Sequence, residues 1–369
     1  MRRIFCALLM AACSGEATVV TYNVGLARGF VPYADERLDA AAEAIAGIDA
    51  DAVCIQEAWL RQNDSFNWTT EYIDKLVDAS SDSFPYATWQ RTQNKGEATS
   101  CTPEEAAVLE ECALEYCGDV SQGELADCAL TNCGDLFNAS SVGCQSCVAA
   151  NIGNPIEIIM ETCVGGSGSA AYDGHNGLLL LTKKQPETTN HIQFPSALTT
   201  RSALHAKVKV GGLGSADLFC THLAADLSNI LAYPGTEFGS YVEEQSAQID
   251  LLLGFVEDNA TTEHTIVMGD MNTGTDDIPE NYGRFDDAGY SNQYVMDFDD
   301  SQCTYCSANT LNGGSGDGGV TIDHILTKTS ATPVETDRIL DETQAITTSE
   351  GPTQHHLSDH YGVRLTLER

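Results

Sequence analysis

Short apolar runs that stop on polar residues constrain this chain more than any other feature. Thr18-Val-Val-Thr-Tyr runs into Asn23, Ala52-Val-Cys-Ile into Gln56-Glu57, and Ala216 to Cys220 into Thr221-His222. Thr265 to Met268 leads to Gly269-Asp270-Met271-Asn272. Asp323-His324 interrupts the run Val320 to Leu326, and Ser358-Asp359-His360 precedes Gly362 to Leu367. Runs of this length and composition read as buried strands. Gly177 to Leu181 and Leu204 to Val210 read the same way, while Arg37 to Ile48 and Val242 to Val256 carry apolar residues at helical spacing. Strands outnumber helices. The pattern predicts an α/β (α+β) chain with two packed sheets and helices outside them. A chain of 369 residues has room for such a core.

Charge narrows the partners. Fifty-four acidic residues face 18 Lys and Arg, a net charge of −36. Counterion-driven binding of polyanions is disfavoured, and no stable nucleic-acid complex is expected. A nuclease whose metal screens the phosphate stays open. No apolar run is long enough for a spanning helix.

The first residues look like an export signal. Met1-Arg2-Arg3 precedes the apolar stretch Ile4 to Ala12, and small residues follow, which predicts a signal over residues 1–15. Met10-Ala11-Ala12-Cys13 also resembles an imperfect lipobox, with Cys13 as the lipid anchor. The expected location is secreted, periplasmic or in the cell envelope. Cysteine usage agrees, since eight of the 14 fall between Cys101 and Cys163. Asn63, Asn67, Asn138 and Asn259 head glycosylation sequons, which matter only in a eukaryotic route.

Residues 97–166 differ from the rest. They hold 12 acidic residues and no Lys, Arg or His. Cys112-Ala-Leu-Glu-Tyr-Cys117 recurs as Cys128-Ala-Leu-Thr-Asn-Cys133. Zinc is the rival for Cys144 and Cys147, but the stretch has no His, and disulfides are expected, with open connectivity. The reading is a helical module stapled by bridges, inserted between segments 16–96 and 167–369. Its expected role is to stabilise the body, gate access to it or bind a partner. Cys54 and Cys220 lie inside apolar strands and read as buried thiols. Cys303 and Cys306 sit in a polar loop where a local bridge is open.

The ordered set Tyr22-Asn23, Gln56-Glu57, Asn176-Gly177, Thr221-His222-Leu223, Gly269-Asp270-Met271-Asn272, Asp323-His324-Ile325 and Ser358-Asp359-His360-Tyr361 resembles the endonuclease/exonuclease/phosphatase superfamily, the deoxyribonuclease I-like fold. The resemblance covers residues 18–369 apart from the insertion. It implies a four-layered α/β sandwich of two mainly antiparallel sheets flanked by helices. It also implies metal-dependent hydrolysis of a phosphoester. Glu57, Asn23 and Asp359 are the implied metal positions, with Mg²⁺ expected and Mn²⁺ or Ca²⁺ as substitutes; oxygen donors suit such hard ions.

His360 is the implied base, since an imidazole accepts a water proton at neutral pH. Asp323 matches the position that orients it, Asp270 and Asn272 those that place the water, and His222 one that donates to phosphoryl oxygens. Asn23, Asn176 and Arg201 are further phosphate candidates. His175, His191, His205, His264, His324, His355 and His356 read as structural or surface residues.

Fold does not select the substrate. Thr221-His222-Leu223-Ala224-Ala225 and Leu357 to Val363 look most like secreted sphingomyelinases. That likeness implies a lipid headgroup or small diester as the substrate, peripheral membrane contact and a monomer. Bacterial sphingomyelinases often carry an aromatic hairpin before the last motif; here Asp299 to Gly319 is polar and glycine-rich. Ile230, Leu231, Tyr233, Phe238 and Tyr241 offer either an apolar lip or a loop packed on its own core. The alternatives are a deoxyribonuclease I-like endonuclease, a phosphatase of inositol phosphates or small diesters, and an inactive binding module.

Overall fold

The structure is a computed structural model that describes residues 15–62, 68–92, 100–120, 125–152, 154–164, 177–298, 302–314, 316, 318–348 and 351–369. The export signal, Asn63, Asn67, His175 and Asn176 lie outside the described residues.

The chain begins with β1 (Glu16–Asn23), α1 (Ala34–Ala46), β2 (Ala52–Gln56), the small pair β3 (Arg61–Gln62) and β4 (Trp68–Thr69), α2 (Glu71–Ser80) and β5 (Tyr86–Thr88). Four helices follow: α3 (Pro103–Cys117), α4 (Leu125–Ala139), α5 (Val142–Asn151) and α6 (Ile156–Val164). Then come β6 (Leu179–Thr182), β7 (Thr188–Phe194), β8 (Arg201–Val210), β9 (Gly214–His222), α7 (Tyr241–Asn259), β10 (Thr265–Asp270), α8 (Pro279–Asp287), β11 (Ser291–Asn292) and α9 (Gln293–Phe298). The remainder holds β12 (Tyr305–Cys306), β13 (Gly319–Val320), β14 (Asp323–Lys328), β15 (Thr332–Ile339), β16 (Gln344–Thr348), β17 (Gly351–His355) and β18 (Gly362–Glu368).

Two six-stranded sheets result, in orders β15-β18-β1-β2-β6-β5 and β11-β14-β10-β9-β8-β7. Each has one parallel pair near its middle, β1 with β2 and β9 with β10. Their other pairings are antiparallel. Strand period sorts the side chains. Val19, Ala52, Cys54, Leu218, Cys220, Ile266, Met268, Ile325 and Val363 belong to one cluster between the sheets. Their neighbours Val20, Val53 and Ile55 pack outward on α1 and α2. Phe219, Val267 and Leu326 pack outward on α7 and α8. The layers are therefore helix, sheet, sheet, helix.

Two expectations change. Cys54 and Cys220 are not free thiols but a disulfide, with Cα atoms 5.4 Å apart. Each lies on the inner face of its strand, so β2 and β9 meet across the seam within bridging distance. Val320 to Leu326 is not one strand. Gly319–Val320 pairs with Tyr305–Cys306, and a separate strand starts at Asp323. Edge strands β7 and β15, mostly polar and exposed or half-buried, carry no buried run and went unread.

The insertion is helical and disulfide-bonded. Cys112–Cys133 and Cys117–Cys128 form two rungs between α3 and α4, which explains the repeated spacing. Cys101–Cys144 and Cys147–Cys163 tie in α5 and α6, so Cys144 and Cys147 are bridged to other cysteines. Cys303–Cys306 closes a loop of the body. The six bridges fit an oxidising, extracellular compartment. No helix among the described residues is long and apolar enough to cross a membrane.

The inter-sheet bridge spans 166 residues of sequence. Chain entropy assigns such a loop about 5 kcal/mol. Replacing Cys54 and Cys220 together with Ala is expected to lower unfolding stability by about 2–5 kcal/mol. Urea titration of the oxidised protein checks this; an unchanged midpoint would show that the bridge contributes nothing.

Candidate active site

The parallel pairs set the site. Parallel strands end together, so Asn23 sits beside Gln56 and Asp270 beside His222. Asp323 lies opposite Asp270 on the antiparallel neighbour. Asn23, His222, Asp270 and Asp323 share the inner face with the apolar seam below them. The seam is thus apolar along its length and polar at one rim. Asn23, His222, Asp270, Asp323 and His360 are all 5% exposed or less.

The contacts are short. His360 Nδ1 lies 2.8 Å from Asp323 Oδ2, and its Nε2 lies 3.8 Å from Asp270 Oδ2 and 4.0 Å from Asp359 Oδ2. His222 Nε2 is 3.4 Å from Asp270 Oδ2 and 3.9 Å from Glu57 Oε1. Asn23 Nδ2 donates to Glu57 Oε1 at 3.1 Å and to Asp270 Oδ2 at 3.0 Å, while its Oδ1 accepts from Gly25 N. Asn272 donates through its backbone to Asp270 Oδ1 and through Nδ2 to the Leu223 carbonyl. Trp59 Nε1 donates to Glu57 Oε2. Glu57 and Asn272 have φ of 59° and 48°, a left-handed conformation that costs non-glycine residues about 1–3 kcal/mol.

Electrostatics follow from crowding. Burial, then the Asp359 charge, pushes Glu57 up. Burial, then Asp323, pushes Asp270 up to about 7. His222 falls well below its ordinary value through burial, helped by Arg201. Burial pulls His360 down too, but Asp323, Asp359 and Asp270 outweigh it and hold the ring well above 6.5.

The site fits a hard divalent cation. Acceptor atoms of Glu57, His222 and Asp270 lie within 4.8 Å of one another, as do those of Asp270, Asp323 and His360. The Asp359 charge raises the cost of ionising Glu57, a crowding that a bound cation relieves. Four buried polar atoms here lack hydrogen-bond partners: His222 Nδ1, Asp323 Oδ1, and Arg201 Nε and Nη1. Arg201 opens β8 beside Trp59 and lines the same cavity as Glu57, Asp270, Asp359 and His360. Every site residue named from the sequence meets here except Asn176, which is not described.

Several supports went unread. Arg37 is fully buried and donates to the carbonyls of Pro32, Val24, Gly25 and Leu357, clamping the end of β1 to the last motif. An arginine in phase with Ala41 and Ile45 on the apolar face of α1 was the available signal. Ser358 Oγ donates to the Asn23 carbonyl. Gly25 has φ of +56°, and a Cβ there would collide with Asp359. Asn309 and Asn312 donate to the carbonyls of Ser358 and Asp359, and the Tyr305 ring lies 5.0 Å from that of His360. The glycine-rich stretch before the last motif therefore braces the motif. Of the remaining histidines, His205 contacts Asp217, His264 contacts Thr329, and His324 lies between Asn292 and the Thr273 carbonyl.

The sequence profile of the Endonuclease/Exonuclease/phosphatase family matches residues 20–360, and the chain belongs to that family. Its members hydrolyse phosphoester bonds. Among solved structures, an endonuclease/exonuclease/phosphatase from Beutenbergia cavernae is 15% identical with a TM-score of 0.53, over 96% of this chain and 71% of its own. Sphingomyelinase C from Streptomyces griseocarneus is 15% identical with a TM-score of 0.53, over 95% and 99%. A beta toxin mutant from Staphylococcus aureus with bound magnesium ions is 12% identical with a TM-score of 0.54, over 96% and 100%. These likenesses carry the fold alone. No curated protein matches the chain by sequence.

Removing the Arg37 guanidinium strands buried carbonyls at about 1–3 kcal/mol each. Arg37→Met is expected to lower unfolding stability by about 3 kcal/mol or more. Urea titration reads this, and a loss below about 1 kcal/mol would reduce the clamp to a surface-grade contact.

Proposed function

We propose that the protein is an exported, divalent-metal-dependent phosphodiesterase of the sphingomyelinase-like kind, acting on a lipid headgroup or small diester. The observation that carries this is the Asp323–His360 pair at 2.8 Å, set beside Glu57, Asp270 and Asp359 in one cavity. Residues 16–96 and 167–369 form the catalytic body and residues 97–166 the insertion. The signal at residues 1–15 and the six disulfides support export.

Glu57 and Asp359 would hold the cation, and Asn23 Oδ1, which accepts from Gly25 N, keeps one lone pair that could reach it. Mg²⁺, when bound, polarises a phosphoryl oxygen and offsets the carboxylate charge around His360. His360 Nε2 takes a proton from the attacking water, and Asp323 fixes the ring through Nδ1. The water oxygen bonds to phosphorus as the bond to the leaving alcohol breaks. That alcohol leaves with a proton, so diester plus water gives monoester plus alcohol. Asp270 and Asn272 position the water. His222 and Arg201 face the phosphoryl oxygens, where charge grows.

The test offers sphingomyelin vesicles and supercoiled plasmid in parallel with Mg²⁺. Phosphocholine release is expected to vanish with a chelator, return with Mg²⁺, and fall about 10²–10⁴-fold in His360→Ala. Plasmid nicking alone would make the protein a nuclease and overturn the charge argument. A rate unchanged in His360→Ala would remove the histidine from the mechanism.

A further inference from the structure

One cavity joins the strand-end site to the insertion. It has a volume of about 410 Å³, within the ~300–1,000 Å³ range of small-molecule sites. Glu57, His222, Asp270, Asp359 and His360 line one end. Leu109, Ala113, Leu130, Phe137, Ile152 and Met160, all from the insertion, wall the other. Leu198, Leu227, Ile230 and Leu231 of the body complete that wall.

The wall is attached to the body. Phe137, Ala149 and Ala150 pack on a cluster formed by Leu198, Leu231 and Tyr241. The loop after His222 thus does both things that the sequence allowed. Leu231 is buried in its own cluster, while exposed Ile230 faces the cavity. Leu109, Ile152 and Met160 belong to the insertion's own core yet also line the open space.

The chemistry at the two ends differs. Arg201 sits at the catalytic end, and Asp127 brings a carboxylate to the insertion side of the lining. The insertion has no Lys, Arg or His among its 12 acidic residues. A polynucleotide would place further phosphates against hydrocarbon and carboxylates. A molecule with one phosphodiester and one hydrocarbon chain meets neither penalty.

We propose that the chamber between the insertion and the Leu227–Leu231 loop holds the hydrocarbon chain of an amphiphilic phosphodiester, whose phosphate lies against Glu57, Asp270 and His360. This assignment rests on the phosphodiesterase reading above. It makes the insertion a specificity-determining wall. Each methylene that leaves water strengthens binding roughly fourfold until the chamber is full.

The test uses the full chain with butylphosphocholine and hexadecylphosphocholine, each below micelle formation. The kcat/KM ratio of long to short chain is expected to reach at least about a hundredfold. Ala129→Trp fills the chamber from α4, and Leu130→Asp charges its exposed edge. Each is expected to lower the ratio at least about tenfold with an unchanged Tm. A ratio near one, or one that neither variant moves, overturns the proposal. If neither ester is cleaved, the phosphodiesterase reading fails by itself. Calorimetry with hexadecylphosphocholine then judges the chamber: saturable binding weakened by Ala129→Trp supports it, and no binding, or binding indifferent to the variant, overturns it.

Discussion

Crowded negative charge at one rim of the inter-sheet seam is the constraint on which the rest of this structure depends. Glu57, Asp270, Asp323 and Asp359 converge where two parallel strand pairs end, in a place largely closed to water. Like charges so placed do not all ionise without compensation. The fold supplies some of it locally. His360 bonds to Asp323, Asn23 donates to Glu57 and Asp270, and buried Arg201 and Arg37 add positive charge nearby. The remainder invites a cation. The crowding that costs stability is thus the property that gives the site its chemistry.

Holding that charge demands rigid backing. The last motif approaches Gly25 so closely that a Cβ there would displace the Asp359 and Ser358 side chains, and Arg37 joins the two segments through carbonyls on both sides. Asn309, Asn312 and Tyr305 brace the motif from the other flank. Beneath the rim, the Cys54–Cys220 bridge pins β2 to β9, the strands that end at Glu57 and His222. A shift of either sheet would separate these two residues, so the bridge fixes a site distance as well as the fold.

The sequence made the inner framework legible and the outer framework obscure. Strands such as β1, β2, β9 and β10 are buried on both faces, so they read as apolar runs, and their terminal polar residues stand out. Period two then places Asn23, His222 and Asp270 on the same face as Val19, Leu218 and Met268, which is why the site was legible with them. Strands β7 and β15 lie at sheet edges, where polar residues serve as well as apolar ones, and no pattern betrays them. The Cys54–Cys220 pairing depends on which strands oppose each other across the seam, a tertiary fact. Asn309 and Asn312 act through side-chain donors in a loop whose composition only says turn. In the insertion, the repeated cysteine spacing announced bridges, but pairing awaited the antiparallel arrangement of α3 and α4.

Where apolar surface lies also follows from this division of labour. The stretch before the last motif braces His360, and among its described residues Tyr305 is the exposed large apolar side chain. Eight of the fifteen exposed large apolar side chains among the described residues lie instead between Val108 and Val164. That stretch is about a sixth of the chain, so the enrichment is more than surface average. A small acidic helical lobe has too little core to bury them all, and four disulfides offset what packing does not supply. Of these eight, Leu130 lines the cavity that reaches the catalytic rim, alongside buried Leu109, Ile152 and Met160. Under the proposed function, hydrocarbon contact belongs to the insertion, Phe30 and Ile230, and phosphate chemistry to the sheets.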